Sequence, residues 1–507
     1  MMKNNKRMKQ RLSIIRWGNL IVMACLFSLA GPLPGKGQSQ VKTKPNIVFI
    51  LADDLGYTDL GCYGNPYHKT PQIDGLAGQG MKFKQAYVAS PICSPSRAAI
   101  MTGKHPARLH LTNFLVGERT DAASPVLPAH WATNGLPGSE VTLAELMKQE
   151  GYATGMVGKW HLGGKEEQMP SGQGFDYDRV IGKNGLDYYN YSITSKNKTV
   201  FEDHGTAYLT DKLTDYGVEF IDQNRDKPFF LYLAYSAPHV LIVPRADKLN
   251  KHLISYNKNQ EKYNSDYVAA QDGPSVIPMK EYKEKFNPYY AAMLESLDDG
   301  VGRILDKLKA LGLHDNTVVI FTSDNGGVGL PELGPIPTYQ EPLRKWKGHV
   351  YEGGIRVPLI VTWPEKIQEN VVNDNYIIGT DYLPTFMDLL KVRKLPDDID
   401  GRSFLKTLYQ PEINFDRGSI FWHYPHFSNQ GGRPAGAMRS GDYKLVESFE
   451  TGKVELYDLK NDIGEKNDLS SLMADKTKEM ARMLKMWRKD VGANMPRPNP
   501  NYRPSKE

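Results

Sequence analysis

Asn46-Ile47-Val48-Phe49-Ile50-Leu51-Ala52-Asp53-Asp54 is a short, almost wholly apolar run, rich in β-branched residues, that stops at two aspartates. Its apolar residues are consecutive rather than alternating, which is the pattern of a strand buried on both faces in a helix-covered parallel sheet. Pro228-Phe229-Phe230-Leu231-Tyr232-Leu233-Ala234, Thr317-Val318-Val319-Ile320-Phe321-Thr322 and Val357-Pro358-Leu359-Ile360-Val361 repeat the pattern. Helical signals lie between them. Thr142 and Glu145 form a capping box that opens a helix from Leu143 to Gln149. Leu294, Leu297, Val301, Ile304, Leu305, Leu308 and Leu311 make one apolar stripe that ends at Gly312. Strand, helix and strand alternate as in a doubly wound α/β fold.

At 507 residues the chain exceeds one ordinary core. We expect a leader over residues 1–40, a catalytic α/β domain over 41–410 and a small C-terminal α+β domain over 411–507. The last rests on short alternating pieces, Tyr443-Lys444-Leu445-Val446 and Glu455-Leu456-Tyr457-Asp458, followed by a helical stretch over 474–491. Residues 241–279 are polar, rich in Lys, Asn and Tyr, and read as an inserted surface loop. The Pro/Asn-rich end after Met495 reads as a loose tail.

The first forty residues carry seven basic groups (Lys3, Lys6, Arg7, Lys9, Arg11, Arg16, Lys36) and no acid, around an apolar run from Leu20 to Ala30. This is the make-up of a secretory signal. Removing those seven charges from the formal net charge of +5 leaves about −2, so the basic balance belongs to the leader and no nucleic-acid partner is implied. The run is short for a membrane span. Export to the periplasm, with no transmembrane segment after leader cleavage, is the expectation; an uncleaved anchor or a surface lipoprotein through Cys25 is the alternative. Of three cysteines, Cys62 and Cys93 remain after the leader.

Asp53-Asp54 and Asp324-Asn325 both fall where an apolar strand meets its following loop, and ligands of open α/β sheets bind at the carboxyl ends of strands. Three carboxylates and an amide carbonyl are hard oxygen ligands, suited to calcium or magnesium. One such pair alone reads as a helix cap or Asx turn. Lys159 and His161 lie two apart, so an extended segment would point both to one side. His239, after Ala237-Pro238, also falls at a strand end and titrates in the range useful for proton transfer. Arg344-Lys345-Trp346-Lys347 and Gly353-Gly354 precede a strand; cations beside a glycine pair would suit an oxyanion, whereas a Lys/Arg cluster alone reads as a solvated face.

Cys93-Ser94-Pro95-Ser96-Arg97 places a cysteine, a proline and an arginine at a helix start, before Ala98-Ala99-Ile100-Met101 and the breaker Thr102-Gly103. This C-x-P-x-R pattern resembles the signature of the formylglycine-dependent (type I) sulfatases of the alkaline phosphatase superfamily. Gly158-Lys159-Trp160-His161, Pro238-His239, Ser323-Asp324-Asn325-Gly326 and Lys347 ahead of Tyr351-Glu352-Gly353-Gly354 resemble the family's other motifs, in order.

The resemblance implies an alkaline-phosphatase-like fold, a large mixed, mostly parallel sheet flanked by helices. It implies that a maturation enzyme oxidises Cys93 to formylglycine (3-oxoalanine). One divalent cation, calcium in most relatives, is then held by Asp53, Asp54, Asp324, Asn325 and the modified Cys93. A hydroxyl of the aldehyde hydrate, activated by the cation and Arg97, attacks sulfur to give a covalent sulfo-enzyme, and His161 takes the proton whose loss expels sulfate. His239, with Lys347, assists the departing alcohol, while Lys159 and Lys347 offset the sulfate charge. For an exported enzyme the expected substrate is a sulfated glycan. His110, Asn113, Asp187, Tyr188, His204, Trp346, His349, His423 and His426 are candidate sugar contacts, the two histidines of Trp422-His423-Tyr424-Pro425-His426 in a loop of the C-terminal domain being the most suggestive.

Two other readings share these residues. A phosphate or phosphonate ester hydrolase of the same superfamily would use the same metal and nucleophile, although such metal-dependent phosphatases commonly carry histidine where this chain has Asn325. A sulfated-glycan binding protein would result if Cys93 stays unmodified.

Overall fold

β1 (Asn46–Ala52) is wholly buried and pairs in parallel with two strands far along the chain, β8 (Phe229–Ala234) and β9 (Thr317–Ser323). Its side chains alternate between two cores, as the two-residue period of a strand requires. Ile47, Phe49 and Leu51 pack on one side with Ala98, Ile100, Leu143, Met147 and Phe386. Val48, Ile50 and Ala52 pack on the other with Leu213, Phe220, Leu294, Leu297 and Val301. A strand between two helical layers has no polar face, which is why the run carries no alternation. The computed structural model describes residues 44–115, 117–182, 187–258, 287–329, 338 and 340–503. The leader, residues 259–279 of the polar insert and residues 504–507 lie outside them.

The remaining strands are β2 (Met81–Tyr87), β4 (Ala153–Gly158), β5 (Tyr177–Ile181), β6 (Asn190–Ser195), β7 (Lys198–His204), β10 (Arg356–Thr362) and β11 (Val371–Ile378). They complete a ten-stranded sheet of order β11-β2-β10-β9-β1-β8-β4-β5-β6-β7. The stretch from β9 to β5 is parallel, whereas β10 runs antiparallel to β9 and β2, and β5, β6 and β7 meet as antiparallel neighbours. This is the mostly parallel, helix-flanked sheet expected from the sequence.

The helices sit where apolar periodicity and capping put them. α1 (Pro71–Gly78), α2 (Cys93–Thr102), α3 (Leu143–Gln149) and α4 (Leu209–Gln223) cover the sheet together with the helix Pro288–Ala310. At α3 the Thr142 hydroxyl accepts the Glu145 N–H at 3.3 Å and the Glu145 carboxylate accepts the Thr142 N–H at 2.8 Å. The Pro288–Ala310 helix buries its whole leucine stripe except Leu311, and the chain turns off at Gly312, whose φ of 66° lies in the left-handed region.

β12 (Ile420–Tyr424), β13 (Ala435–Ser440), β14 (Tyr443–Ser448) and β15 (Val454–Asp458) form a second, antiparallel sheet. Its two faces do different things. Ile420, Trp422, Tyr424 and Val446 pack against Tyr87, Val88, Ala99 and Val357 of the main body, and the Trp422 indole N–H donates to the Val88 carbonyl at 2.7 Å. Met438, Leu445 and Leu456 pack against the helix Ala474–Asp490.

Three sequence expectations are corrected. Part of the polar insert is helical, over Ala246–Lys258, because Lys248 and Lys251 reach Glu295 and give that helix a partner. The C-terminal end is pinned through residue 499: β16 (Arg497–Pro498) pairs with β3 (Val126–Leu127), and Asn499 donates to the carbonyls of Pro125 and Ser124. The segment from Trp422 to Tyr424 belongs to strand β12 rather than a loop.

Candidate active site

Four adjacent parallel strands end in candidate site residues. β1 runs into Asp53-Asp54, β9 into Asp324-Asn325, β8 into His239 and β4 into Lys159-Trp160-His161. Main-chain bonds fasten these ends together: Asp53 N–H to Ala237 O at 3.2 Å, Asp324 N–H to Ala52 O at 3.2 Å, and Lys159 N–H to Ala234 O at 2.8 Å. β4 can approach β8 this closely because its last residue is Gly158, where a Cβ would lie 1.9 Å from the Ala234 carbonyl oxygen. Ser323 braces the ligand loops. Its hydroxyl accepts the Leu55 N–H at 3.0 Å and donates to the Asn325 carbonyl at 2.9 Å.

Cys93 opens α2 and is only 2% exposed. Its Sγ lies 3.6 Å from Asp53 Oδ1, 3.8 Å from Asp54 Oδ1 and 3.6 Å from Lys159 Nζ. One turn along the same helix, Arg97 is fully buried and sends Nε and Nη2 to Asp324 Oδ2, each at 2.8 Å. Its Nη1 donates to the Lys159 carbonyl at 2.5 Å. Lys159 Nζ lies 2.5 Å from Asp53 Oδ2, and Lys347 Nζ lies 2.6 Å from Asp54 Oδ1. His239 places Nε2 3.5 Å from Asp54 Oδ2 while its Nδ1 N–H donates to the Val240 carbonyl at 2.5 Å. Asp54 and His161 both adopt left-handed φ, 64° and 62°, a costly choice for non-glycine residues that clusters at functional sites. It also corrects the expectation of an extended Lys159–His161 segment, since the backbone turns at His161.

Three carboxylates and three permanent cations share this buried space, and the charges set one another. Burial alone would raise the Asp53 carboxyl, but the permanent charges of Lys159, Arg97 and Lys347 oppose it and hold Asp53 well below the usual range. Asp324 is pushed up to about 7 by burial and then by Asp53, against the pull of Arg97. Burial pushes the Cys93 thiol up, so an unmodified Cys93 is a neutral thiol and a poor nucleophile. Burial and the charge of Lys159 drive His161 well below its ordinary value, and His239 is lowered to about 4, first by burial. Both imidazoles are therefore neutral in the resting site.

The donor set fits a hard divalent cation. Asp53, Asp54, Cys93 and His239 present ligand atoms within 4.8 Å of one another. Asn325 joins them: its Nδ2 donates to Asp54 Oδ1 at 2.8 Å, while its buried Oδ1 has no hydrogen-bond partner. A buried amide oxygen left unpaired among carboxylates is costly unless something positive meets it. Asp324 Oδ1 accepts the Asp54 N–H at 3.1 Å, which holds the second ligand pair against the first.

The candidate sugar contacts divide. Trp346 and His349 flank Lys347; the Trp346 indole donates to the Gln430 carbonyl at 2.8 Å, and His349 Nδ1 lies 3.1 Å from the Trp346 carbonyl. His110 is exposed, with Nδ1 3.3 Å from Asn494 Nδ2. His204 is exposed at the end of β7, its Nδ1 3.2 Å from Asn190 Oδ1. Asp187 caps the turn into β6 by accepting the Tyr189 and Asn190 N–H groups. Asn113 is buried and donates to the Gly117 carbonyl.

His423 and His426 do not lean over a cleft. In β12 the even positions face the main body, so His423 points to the opposite side, beside Phe449, with Nε2 2.8 Å from the Asn494 carbonyl. His426 is fully buried, its Nε2 2.8 Å from the Thr112 hydroxyl. Tyr188 is also buried, and its hydroxyl lies 2.9 Å from the carbonyl oxygens of Ser236 and His239. Nothing local in the sequence marks that contact, which joins residues about fifty apart.

Acid ligands at the carboxyl ends of a parallel sheet, a cysteine at a helix start and flanking lysines define a hydrolase site of the alkaline phosphatase superfamily. The "Sulfatase" family model matches residues 45–392, and the model "N-sulphoglucosamine sulphohydrolase, C-terminal" matches residues 345–490. The chain belongs to the sulfatase family and is a sulfuric ester hydrolase. It is 32% identical over 538 residues to a sulfatase of Formosa agariphila, covering 90% of this chain and 92% of that protein. It is 32% identical over 408 residues to the N-acetylgalactosamine-6-sulfatase of Homo sapiens, covering 77% of this chain and 70% of that protein. The crystal structure of Ps i-CgsB in complex with k-i-k-neocarrahexaose is similar to it at a TM-score of 0.72 and 28% identity, over 89% of this chain and 94% of that one.

Proposed function

We propose that Cys93 is converted to formylglycine and that the chain, exported from the cytoplasm, hydrolyses a sulfate ester carried by a glycan. The observation that carries the mechanistic part is the placement of Cys93 Sγ between the Asp53 and Asp54 carboxylates and the Lys159 ammonium, at 3.6 to 3.8 Å from each. A side-chain oxygen at that position would face the metal ligands on one side and a cation on the other. The glycan part is supported by the human relative's name, an N-acetylgalactosamine-6-sulfatase, and by the neocarrahexaose in the Ps i-CgsB structure. Export is supported by the basic, acid-free leader.

Asp53, Asp54, Asp324 and Asn325 would hold one divalent cation, for which calcium is the proposed ion. When bound, it supplies positive charge that polarises sulfate oxygens and favours the ionised hydroxyl of the hydrated aldehyde. The chain's residues do the rest. Arg97 holds Asp324 and lies 3.4 Å from Asp53, fixing both carboxylates beside residue 93. Lys159 and Lys347 flank the cluster and can turn from Asp53 and Asp54 to sulfate oxygens; one such donor is typically worth ~3 kcal/mol of barrier. His161, held neutral, is able to take a proton from the residue-93 hydroxyl when sulfate leaves. A bound sulfate ester brings negative charge that favours protonated His239, so that Nε2 can donate to the departing alcohol while Nδ1 stays on the Val240 carbonyl.

Mass spectrometry of the Cys93 peptide from the native host tests the conversion, because exchange of sulfur for oxygen with loss of hydrogen lowers its mass. Turnover of a panel of defined sulfated mono- and disaccharides, beside matched aryl sulfate and aryl phosphate, tests the reaction. An unmodified peptide, or a preference for the phosphate, would overturn the proposal.

A further inference from the structure

The sequence offers Tyr188 as a sugar contact, yet it is 1% exposed and faces the protein interior. It is held at three points. Its carbonyl accepts the Leu209 N–H at 2.9 Å, its ring stacks on Tyr208 with centroids 5.5 Å apart and planes 23° apart, and its hydroxyl reaches the turn that carries His239. That turn runs from Ser236 to His239. The His239 N–H donates to the Ser236 carbonyl at 2.9 Å, and the Asp53 N–H donates to the intervening Ala237 carbonyl at 3.2 Å. The phenol oxygen lies 2.9 Å from the carbonyl oxygens of both Ser236 and His239, so its single O–H is shared between them and closes both ends of the turn.

A neutral phenol suits this place. A buried hydroxyl must donate to something, and Tyr188 is pushed well above its usual range, first by burial, so it remains a donor throughout. The imidazole of His239 has one other anchor on its ring, the Val240 carbonyl at Nδ1. With the ring tethered at Nδ1 and the backbone tethered by Tyr188, Nε2 has a fixed direction toward Asp54 and the residue-93 side chain. Displacing a proton donor by about 1 Å costs up to roughly a hundredfold in rate.

We propose that Tyr188 is a positioning residue for leaving-group departure: its hydroxyl holds the Ser236–His239 turn so that His239 Nε2 meets the ester oxygen. The proposal deepens the sulfatase reading and rests on the role given there to His239. It separates from a purely structural role by its dependence on the leaving group. Loss of a well-aimed proton donor harms esters of weakly acidic alcohols and hardly affects those of acidic phenols, whereas general loosening of the fold harms both alike.

The experiment compares wild type, Tyr188→Phe, His239→Ala and the double variant on aryl sulfates graded from 4-nitrophenyl sulfate to phenyl sulfate. Tyr188→Phe is expected to lower kcat/KM about tenfold on phenyl sulfate and less than about twofold on 4-nitrophenyl sulfate. The double variant should be no slower than His239→Ala alone. Equal losses on all substrates, or additive losses in the double variant, would overturn the proposal while leaving the sulfatase reading intact. A leaving-group dependence unchanged in His239→Ala would remove the acid role of His239, and the proposal with it. A readout free of turnover accompanies these: in protein carrying nitrogen-15-labelled histidine, the imidazole signal missing from His239→Ala should shift in Tyr188→Phe, and an unmoved signal would also overturn the proposal.

Discussion

Lys444 Nζ lies 2.9 Å from Glu352 Oε1, and both side chains are fully buried. The lysine comes from β14 of the small sheet and the glutamate from the turn that follows Lys347, so the pair joins the C-terminal sheet to the loop that carries Lys347. Glu465 completes the arrangement: Oε1 lies 2.8 Å from the same lysine, and Oε2 accepts the Glu352 N–H at 2.8 Å. Lys444→Met would remove the ion-pair partner of Glu465 and leave Glu352 with Arg356, 3.3 Å away, and the Tyr87 hydroxyl. Breaking a buried pair from one side typically costs ~3–5 kcal/mol, so the variant is expected to unfold at clearly lower urea. A denaturation midpoint equal to wild type would refute this account of the seam.

The same seam makes stability depend on pH. Burial first, and Glu352 next, push the Glu465 carboxyl up to about 7 from an ordinary value of 4.5. Between those values the folded chain holds at Glu465 a proton that the unfolded chain has lost, so the contribution of Glu465 to stability falls as pH rises from about 4.5 to about 7 and is constant beyond. Glu465→Gln, a permanent mimic of the protonated form, should escape this loss. Its Tm advantage over wild type should be larger at pH 8 than at pH 5, and an advantage independent of pH would count against a titrating Glu465.

How much of this was legible in the chain differs between the two levels. The buried strands, the α3 capping box and the leucine stripe were readable because each depends on neighbours in sequence, where periodicity and caps act. The candidate site residues that the structure brings together are readable through strand ends and motifs. The roles of His423, His426 and Tyr188 were not. His423 faces away because the period of β12 turns it toward the Ala474–Asp490 helix, and Tyr188 bonds a turn supplied by another strand. The helix at Ala246–Lys258 is not legible in the sequence, because its support is a charge contact with Glu295, distant in the chain.

Cation binding should be visible without turnover. An ion that meets Asn325 Oδ1 and the Asp53 and Asp54 carboxylates binds only the folded chain and raises Tm by mass action, ~2.7 kcal/mol at a hundredfold excess over Kd. Adding calcium to chelator-treated protein should raise Tm, and Asn325→Ala should shrink the rise. An undiminished rise in Asn325→Ala would show that the ion sits elsewhere.

Lys347→Ala and Lys159→Ala should each lower kcat/KM by roughly a hundredfold to a thousandfold on any sulfate ester, the usual effect of removing one preorganised charge donor. Steady-state kinetics with matched circular dichroism separates this from misfolding; a loss under about threefold in either variant would deny that lysine its place at the sulfate.

Thr142→Ala tests the α3 cap. The hydroxyl accepts the Glu145 N–H and donates to the Gln173 carbonyl at 2.8 Å, so its removal should cost ~1–2 kcal/mol. An unchanged chemical-denaturation midpoint would contradict it.

Asp54 meets Asn325 across 271 residues and Lys347 across 293. No local stretch of chain can build half of such a site, because the loops that close it span most of the molecule and each closure costs entropy before any contact rewards it. Ion affinity is therefore a clock for folding. In a refolding experiment a metal-sensitive signal should arise only with the slowest phase, after helices and hairpins have formed, and chains truncated before Lys347 should never acquire the complete site.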